Sequence, residues 1–219
     1  MVTTYYMLTG FREFVRSLNW HVIYYPVLFD NLNQIPLNNS NNDENYILLY
    51  GRMMAGKGED VLIKALSILK DKGIIYRVII CGPSPNKDYP SNLIKFYKLE
   101  NQVIYVGPQT AEELVKLITR SSIVVVPSTY EEMFGQTAIE AMYFGKSVIA
   151  SNTGGLAEVV KNFGILIPPN DPYALAEAIH ELMSDKNKIE KLGKKAKEYA
   201  RSVFDPENYL QKYLSIVLK

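Results

Sequence analysis

The chain has 219 residues, 47% hydrophobic and 21% charged, enough to fill at least one well-packed domain. Its net charge of +1 gives no global pull toward nucleic acid or an anionic membrane, so no nucleic-acid partner and at most peripheral membrane contact are expected. The lone Cys81 excludes an internal disulfide framework and fits a reducing, cytoplasmic compartment.

The first twenty residues are interrupted by Arg12, Glu13 and Arg16 and offer no clean apolar segment, so a secretory leader is not expected. Residues 31–45 (NLNQIPLNNSNNDEN) are rich in Asn and poor in large apolar side chains, the composition of a linker or exposed loop. The organisation expected is therefore an extension and linker over 1–45 and one domain over 46–219.

From residue 46 the chain alternates. A short apolar strand at 46–50 precedes a Gly-containing turn and a helix over 59–72, where Val61, Leu62, Ala65, Leu66 and Leu69 recur at helical spacing. A strand at 77–81, a Pro-bearing loop and a helix at 92–99 follow. Next come a strand at 103–106, a helix at 111–120, a strand at 123–126 and a helix at 136–144. A strand at 147–150, a short helix at 156–161, a strand at 165–167 and a helix at 172–184 complete the alternation. Two further helices close the chain, a lysine-rich one at 186–201 with a solvated face and one opened by Asp205 and Pro206. Continuously apolar strands, each followed by an amphipathic helix, predict an α/β domain with a doubly wound parallel sheet. In such a sheet ligands bind beyond the carboxyl ends of the strands, so the strand-to-helix loops are where chemistry is expected.

Two loops carry it. The first is Gly51-Arg52-Met53-Met54-Ala55-Gly56-Lys57-Gly58. It comes close to a P-loop but has Gly58 where a hydroxyl should hold magnesium, which argues against an NTPase. Glycines, an Arg and a Lys beside a helix start still suit a pyrophosphate; the plainer alternative is a surface turn with two solvated cations. The second loop spans residues 127–142, with Glu132 in the loop and Glu140 about one turn into the helix. The amides of Gly135, Gln136 and Thr137 would face outward at the helix start, ready for an anion. One carboxylate can then reach a sugar and the other a ribose, with phosphates between them. The plainer alternative is one loop carboxylate and one exposed helix carboxylate.

These features, in order, resemble the C-terminal domain of glycosyltransferase family 4, a retaining family of the two-domain GT-B type. The matching stretches are Gly51-Arg52 with Lys57-Gly58, Glu132-x7-Glu140 with Phe134-Gly135, the run from Thr153 to Glu158 (TGGLAE), and the run from Pro168 to Pro172 (PPNDP). Residues 22–30 (VIYYPVLFD) loosely resemble the family's interdomain segment. The resemblance implies a UDP- or GDP-linked sugar as donor and no metal or other cofactor. It implies that Arg52 and Lys57 neutralise the departing diphosphate and that Glu132 contacts the donor sugar. Glu140 would accept from the ribose, and Phe134, Gly135, Gln136 and Thr137 would line the donor. Gly51, Gly82 and Val106 would flank the nucleotide, the last two beside the base.

Family members carry a second Rossmann-like domain that supplies the acceptor site, and its counterpart is not expected within the twenty residues ahead of His21. His21 and His180 are expected to be structural or exposed. The acceptor half would then come from a partner chain or a second copy of this one, with a glycan, lipid or protein as acceptor. The alternative is a module that binds nucleotide-sugars without transferring them.

Overall fold

The computed structural model describes residues 4–12, 21–27, 45–86 and 88–218. A short helix, α1 (Tyr5–Arg12), precedes an alternating array. The array runs β1 (Tyr46–Tyr50), α2 (Glu59–Asp71), β2 (Arg77–Cys81), α3 (Tyr89–Phe96), β3 (Val103–Tyr105), α4 (Ala111–Arg120), β4 (Ile123–Val126) and α5 (Gln136–Tyr143). It continues through β5 (Ser147–Ser151), α6 (Gly154–Val160), β6 (Ile165–Ile167), α7 (Pro172–Met183), α8 (Lys186–Val203) and α9 (Pro206–Val217).

The strands form one parallel sheet of six in the order β3-β2-β1-β4-β5-β6. Alternation along each strand divides the core into two layers. Ile47 and Leu49 of β1 pack with α2, α3 and α7 on one face. Tyr46, Leu48 and Tyr50 pack with α4, α5, α6 and α8 on the other. The doubly wound sheet expected from the sequence is therefore the observed fold. Among the described residues no helix is long and apolar enough to cross a membrane.

Local boundaries differ from expectation where backbone chemistry overrides periodicity. The helix expected at 92–99 starts at Tyr89, because Pro90 suits a first helical turn, and it ends at Phe96, with Lys98 at φ 55°. α6 begins at Gly154 rather than 156, closed by the Ala157 N–H bond to the Thr153 carbonyl at 3.1 Å. α1 had no counterpart in the sequence reading. The linker reading for 31–45 lies outside the described residues except at Asn45, and that for 22–30 is described only to residue 27.

The strand order is that of a sheet built outward from its centre. From β1 the chain winds one way through β2 and β3, then crosses back to β4 and winds the other way. The crevice where winding reverses lies between the carboxyl ends of β1 and β4, which pair directly. Both motif loops leave the sheet at that point.

The loops there are packed backbone to backbone. Gly82, just after β2, lies so close to the end of β1 that a Cβ would fall 1.8 Å from the Gly51 carbonyl oxygen, and its φ is 139°. Gly82→Ala should therefore cost about 3 kcal/mol or more through strain and displacement of the β1 loop. Gly73→Ala is the control: φ is 75° there, but a Cβ would meet nothing within 4 Å, and the expected cost is about 1 kcal/mol. Thermal unfolding of both variants checks this, and equal losses would contradict it.

Candidate functional site

The crevice is bordered by residues 51–58, between β1 and α2, and 127–135, between β4 and α5. The two loops are fastened at three points. The Thr129 N–H donates to the Gly56 carbonyl at 2.7 Å. Gly58, the N-cap of α2 at φ 84°, lies against Pro127, where a Cβ would sit 1.9 Å from the carbonyl oxygen. The third fastening is ionic: Lys57 Nζ lies 2.8 Å from Glu132 Oε1. The same ammonium stands 5.3 Å from the centre of the Tyr130 ring.

This geometry departs from a P-loop, because at Gly58, where a P-loop carries its hydroxyl residue, a side chain would fall on the Pro127 carbonyl. Glu132 is no ordinary loop carboxylate either. It is 6% exposed, and its carboxylate also accepts from the Ser128 hydroxyl. Its main-chain carbonyl accepts from the Gly155 N–H at 2.6 Å, which ties the loop to the start of α6. Burial is the largest single effect and disfavours the Lys57 ammonium, but hydrogen bonds to and charge on Glu132 and Tyr130 together outweigh it and hold its pKa above the ordinary lysine value.

α5 supplies the other half of the crevice. Gly135 is its N-cap, and the N–H groups of Ala138 and Ile139 both return to the Gly135 carbonyl, at 3.0 and 3.2 Å. The amides of Gly135, Gln136 and Thr137 precede that ladder, at the positive end of the helix. Gly51 lies beside this end, with Thr137 Oγ1 3.6 Å from where a Cβ would stand. The Tyr50 hydroxyl donates to the Thr137 carbonyl at 2.9 Å and lies 3.3 Å from Glu140 Oε2. Burial pushes the Glu140 carboxyl up to about 7, against hydrogen bonds from Gln136 and Tyr50 that pull it down.

The fold thus gathers Gly51, Lys57, Glu132, Gly135, Gln136, Thr137 and Glu140 around one crevice. Arg52 is exposed on the same β1 loop. Gly82 and Val106 lie one and two strands further out, joined by the Val106 N–H to the Ile80 carbonyl at 3.0 Å and by the Tyr105 hydroxyl to the Gly82 carbonyl at 2.7 Å. The Phe134 ring points elsewhere, into a cluster with Tyr24, Tyr25 and Phe204, so only its main chain faces the crevice loops. His21 is exposed. His180, also exposed, accepts or donates through Nδ1 to the Tyr76 hydroxyl at 2.9 Å, near the amino end of β2 and across the sheet from the site. Burial pushes the Cys81 thiol up to about 11, which makes it inert. Among the described residues no group of three or more His, Cys, Asp or Glu is placed to hold a metal ion.

Three contributions were not read from the sequence. Ser128 lies inside the motif, and its signal was a hydroxyl between a buried strand and Glu132. Tyr50 is the polar-tipped last residue of an otherwise apolar strand. The third is the N-terminal segment: the Thr4 hydroxyl donates to the Met133 carbonyl at 3.0 Å. Glu158 accepts from the Tyr6 N–H at 2.9 Å and from the Tyr24 hydroxyl at 2.8 Å. That segment backs the Glu132 loop from outside.

The Glu140 shift has a stability consequence. Its folded-state value of about 7 lies above the ordinary 4.5, so the folded chain binds this proton more tightly than the unfolded chain. Stability from this group is full below about pH 4.5 and is lost as pH rises through 7. Glu140→Gln should remove that loss, on the order of 3 kcal/mol. Denaturant unfolding at about pH 5 and pH 8 checks it; a pH slope unchanged by the substitution would contradict it.

Comparison with known proteins agrees with the fold. The D-inositol 3-phosphate glycosyltransferase of Corynebacterium glutamicum is 34% identical over 164 residues, covering 71% of this chain and 39% of that protein. A glycosyltransferase from Rickettsia africae superposes with a TM-score of 0.84 at 26% identity, over 98% of this chain and 61% of its own. Anabaena HepE, solved with UDP, superposes at 0.78 and 26% identity over 90% of this chain and 57% of its own; a further structure of it holds UDP-glucose. The chain spans about two fifths of the length of the curated relatives it matches. The family model for glycosyl transferases group 1 matches residues 30–199, and the chain belongs to that family.

Proposed function

We propose that this chain is the donor half of a metal-independent, retaining glycosyltransferase of family 4, taking a UDP-linked sugar. The observation that carries the reading is the crevice at the winding reversal. There Lys57, the open end of α5, the buried carboxylate of Glu132 and the partly buried one of Glu140 face one space beside two loops fastened together. A diphosphate needs positive charge on its oxygens as the bond to the sugar breaks, and a fixed lysine with a helix N-terminus supplies it. Arg52 adds a second cation from the same loop. In this reading Glu132 meets sugar hydroxyls, and Glu140 accepts from the ribose while Tyr50 holds it. The loops at Gly82 and Val106 flank the base. UDP is preferred over GDP because the structural relative HepE was solved with UDP and with UDP-glucose.

The acceptor half is assigned to a partner chain, a second copy, or sequence beyond this one, since the curated relatives are more than twice as long as the matched region. A cytoplasmic setting fits the lone Cys81 thiol.

Calorimetric titration of the chain with UDP-glucose and a GDP-linked sugar, without added metal, tests the reading. Saturable binding of UDP-glucose is expected, weakened about tenfold or more by Lys57→Ala and by Arg52→Ala, as loss of a charge-assisted contact to phosphate requires. Binding indifferent to both substitutions, or no binding by either donor, would overturn it.

A further inference from the structure

Lys57 has two uses in this site that compete for its one charge. In the structure its ammonium compensates the buried carboxylate of Glu132 at 2.8 Å. In the donor-site reading a bound diphosphate draws it away from that carboxylate. Withdrawing the partner of a buried charge is costly unless another donor remains.

The remaining donor is Ser128. Its hydroxyl donates to the same oxygen, Oε1, that receives Lys57, while among the described residues no hydrogen bond is made to Oε2. Ser128 is fully buried and has no freedom to follow the lysine. The main chain is pinned on either side of it, by Pro127 against Gly58 and by the Thr129 N–H on the Gly56 carbonyl at 2.7 Å. Glu132 is pinned as well, through its carbonyl to Gly155. Within this cluster the lysine side chain is the part free to move: it retains 20% exposure and reaches Glu132 through four methylenes.

We propose that Ser128 is a positioning residue that lets Lys57 exchange Glu132 for the donor diphosphate, by keeping the buried carboxylate hydrogen-bonded when the ammonium departs. The proposal rests on the donor-site reading above. The sign of two effects follows. Without Ser128, Oε1 of Glu132 depends on Lys57 alone, so the lysine is held back and bare diphosphate binds more weakly. Without the carboxylate charge, Lys57 is released in advance, and bare diphosphate binds more tightly.

The experiment is a double-mutant cycle read by calorimetry with UDP, alongside UDP-glucose for the unchanged chain. Ser128→Ala is expected to weaken UDP about tenfold, and Ser128→Thr to restore it. Glu132→Gln is expected to tighten UDP several-fold, and Ser128→Ala should then have no further effect. A purely structural serine would weaken binding equally in both backgrounds, and that outcome, or no effect in either, overturns the exchange while leaving the donor site intact. If Ser128→Ala does not fold, Ser128→Cys, a weak donor of similar size, is read through the same cycle. An unchanged chain that binds neither UDP nor UDP-glucose overturns the donor-site reading and the exchange with it.

Discussion

The Lys57–Glu132 pair is the interaction on which the site depends, because it joins two loops that are far apart in sequence and adjacent only through the sheet. A buried carboxylate in a loop is costly without compensation. Here compensation comes both from Ser128 in the same loop and from Lys57 in the opposite one. The backbone contacts at Gly58 and Thr129 make the same junction rigid, and the ionic contact inside it is the part that can change. In the proposed reading, a rigid frame around one movable cation suits a site that accepts a charged ligand and later releases it.

The sheet explains why these loops meet. A parallel sheet needs a crossover for every strand, and reversal of winding leaves one crevice that no crossover helix covers. The last residue of β1 is Tyr50, whose hydroxyl reaches the first turn of α5, so the two sides of the crevice are also tied above the strands. Outside this pair of loops, α6 and the N-terminal segment hold the Glu132 loop from behind, through Gly155 and Thr4. The site is thus supported by main-chain contacts at Gly56 and Gly155, by the Thr4 and Tyr50 hydroxyls and by the Lys57–Glu132 pair.

Much of this was legible in the sequence, for stateable reasons. Strands buried on both faces are continuous apolar runs, and the motif loops follow them directly, so the crevice could be located before its shape was known. Depth was not legible. The Glu140 carboxyl is desolvated and meets the Tyr50 hydroxyl, ninety residues away, and no local pattern encodes either. The Phe134 ring was read with the donor residues, yet it fills an aromatic cluster built from Tyr24 and Phe204, at opposite ends of the chain. α1 escaped notice because only Leu8 among its described side chains is buried, while Thr4 just ahead of it reaches Met133 and Tyr6 reaches Glu131. The boundary of α3 shifted because Pro90 acts on the first turn, where periodicity is silent.

The claim that residues 51–58 and 127–137 form one ligand site is tested most directly by hydrogen exchange with and without saturating UDP-glucose. The account predicts slowed exchange in both segments together and no change in α8 and α9. Protection of one segment without the other, or protection centred on the C-terminal helices, would contradict it.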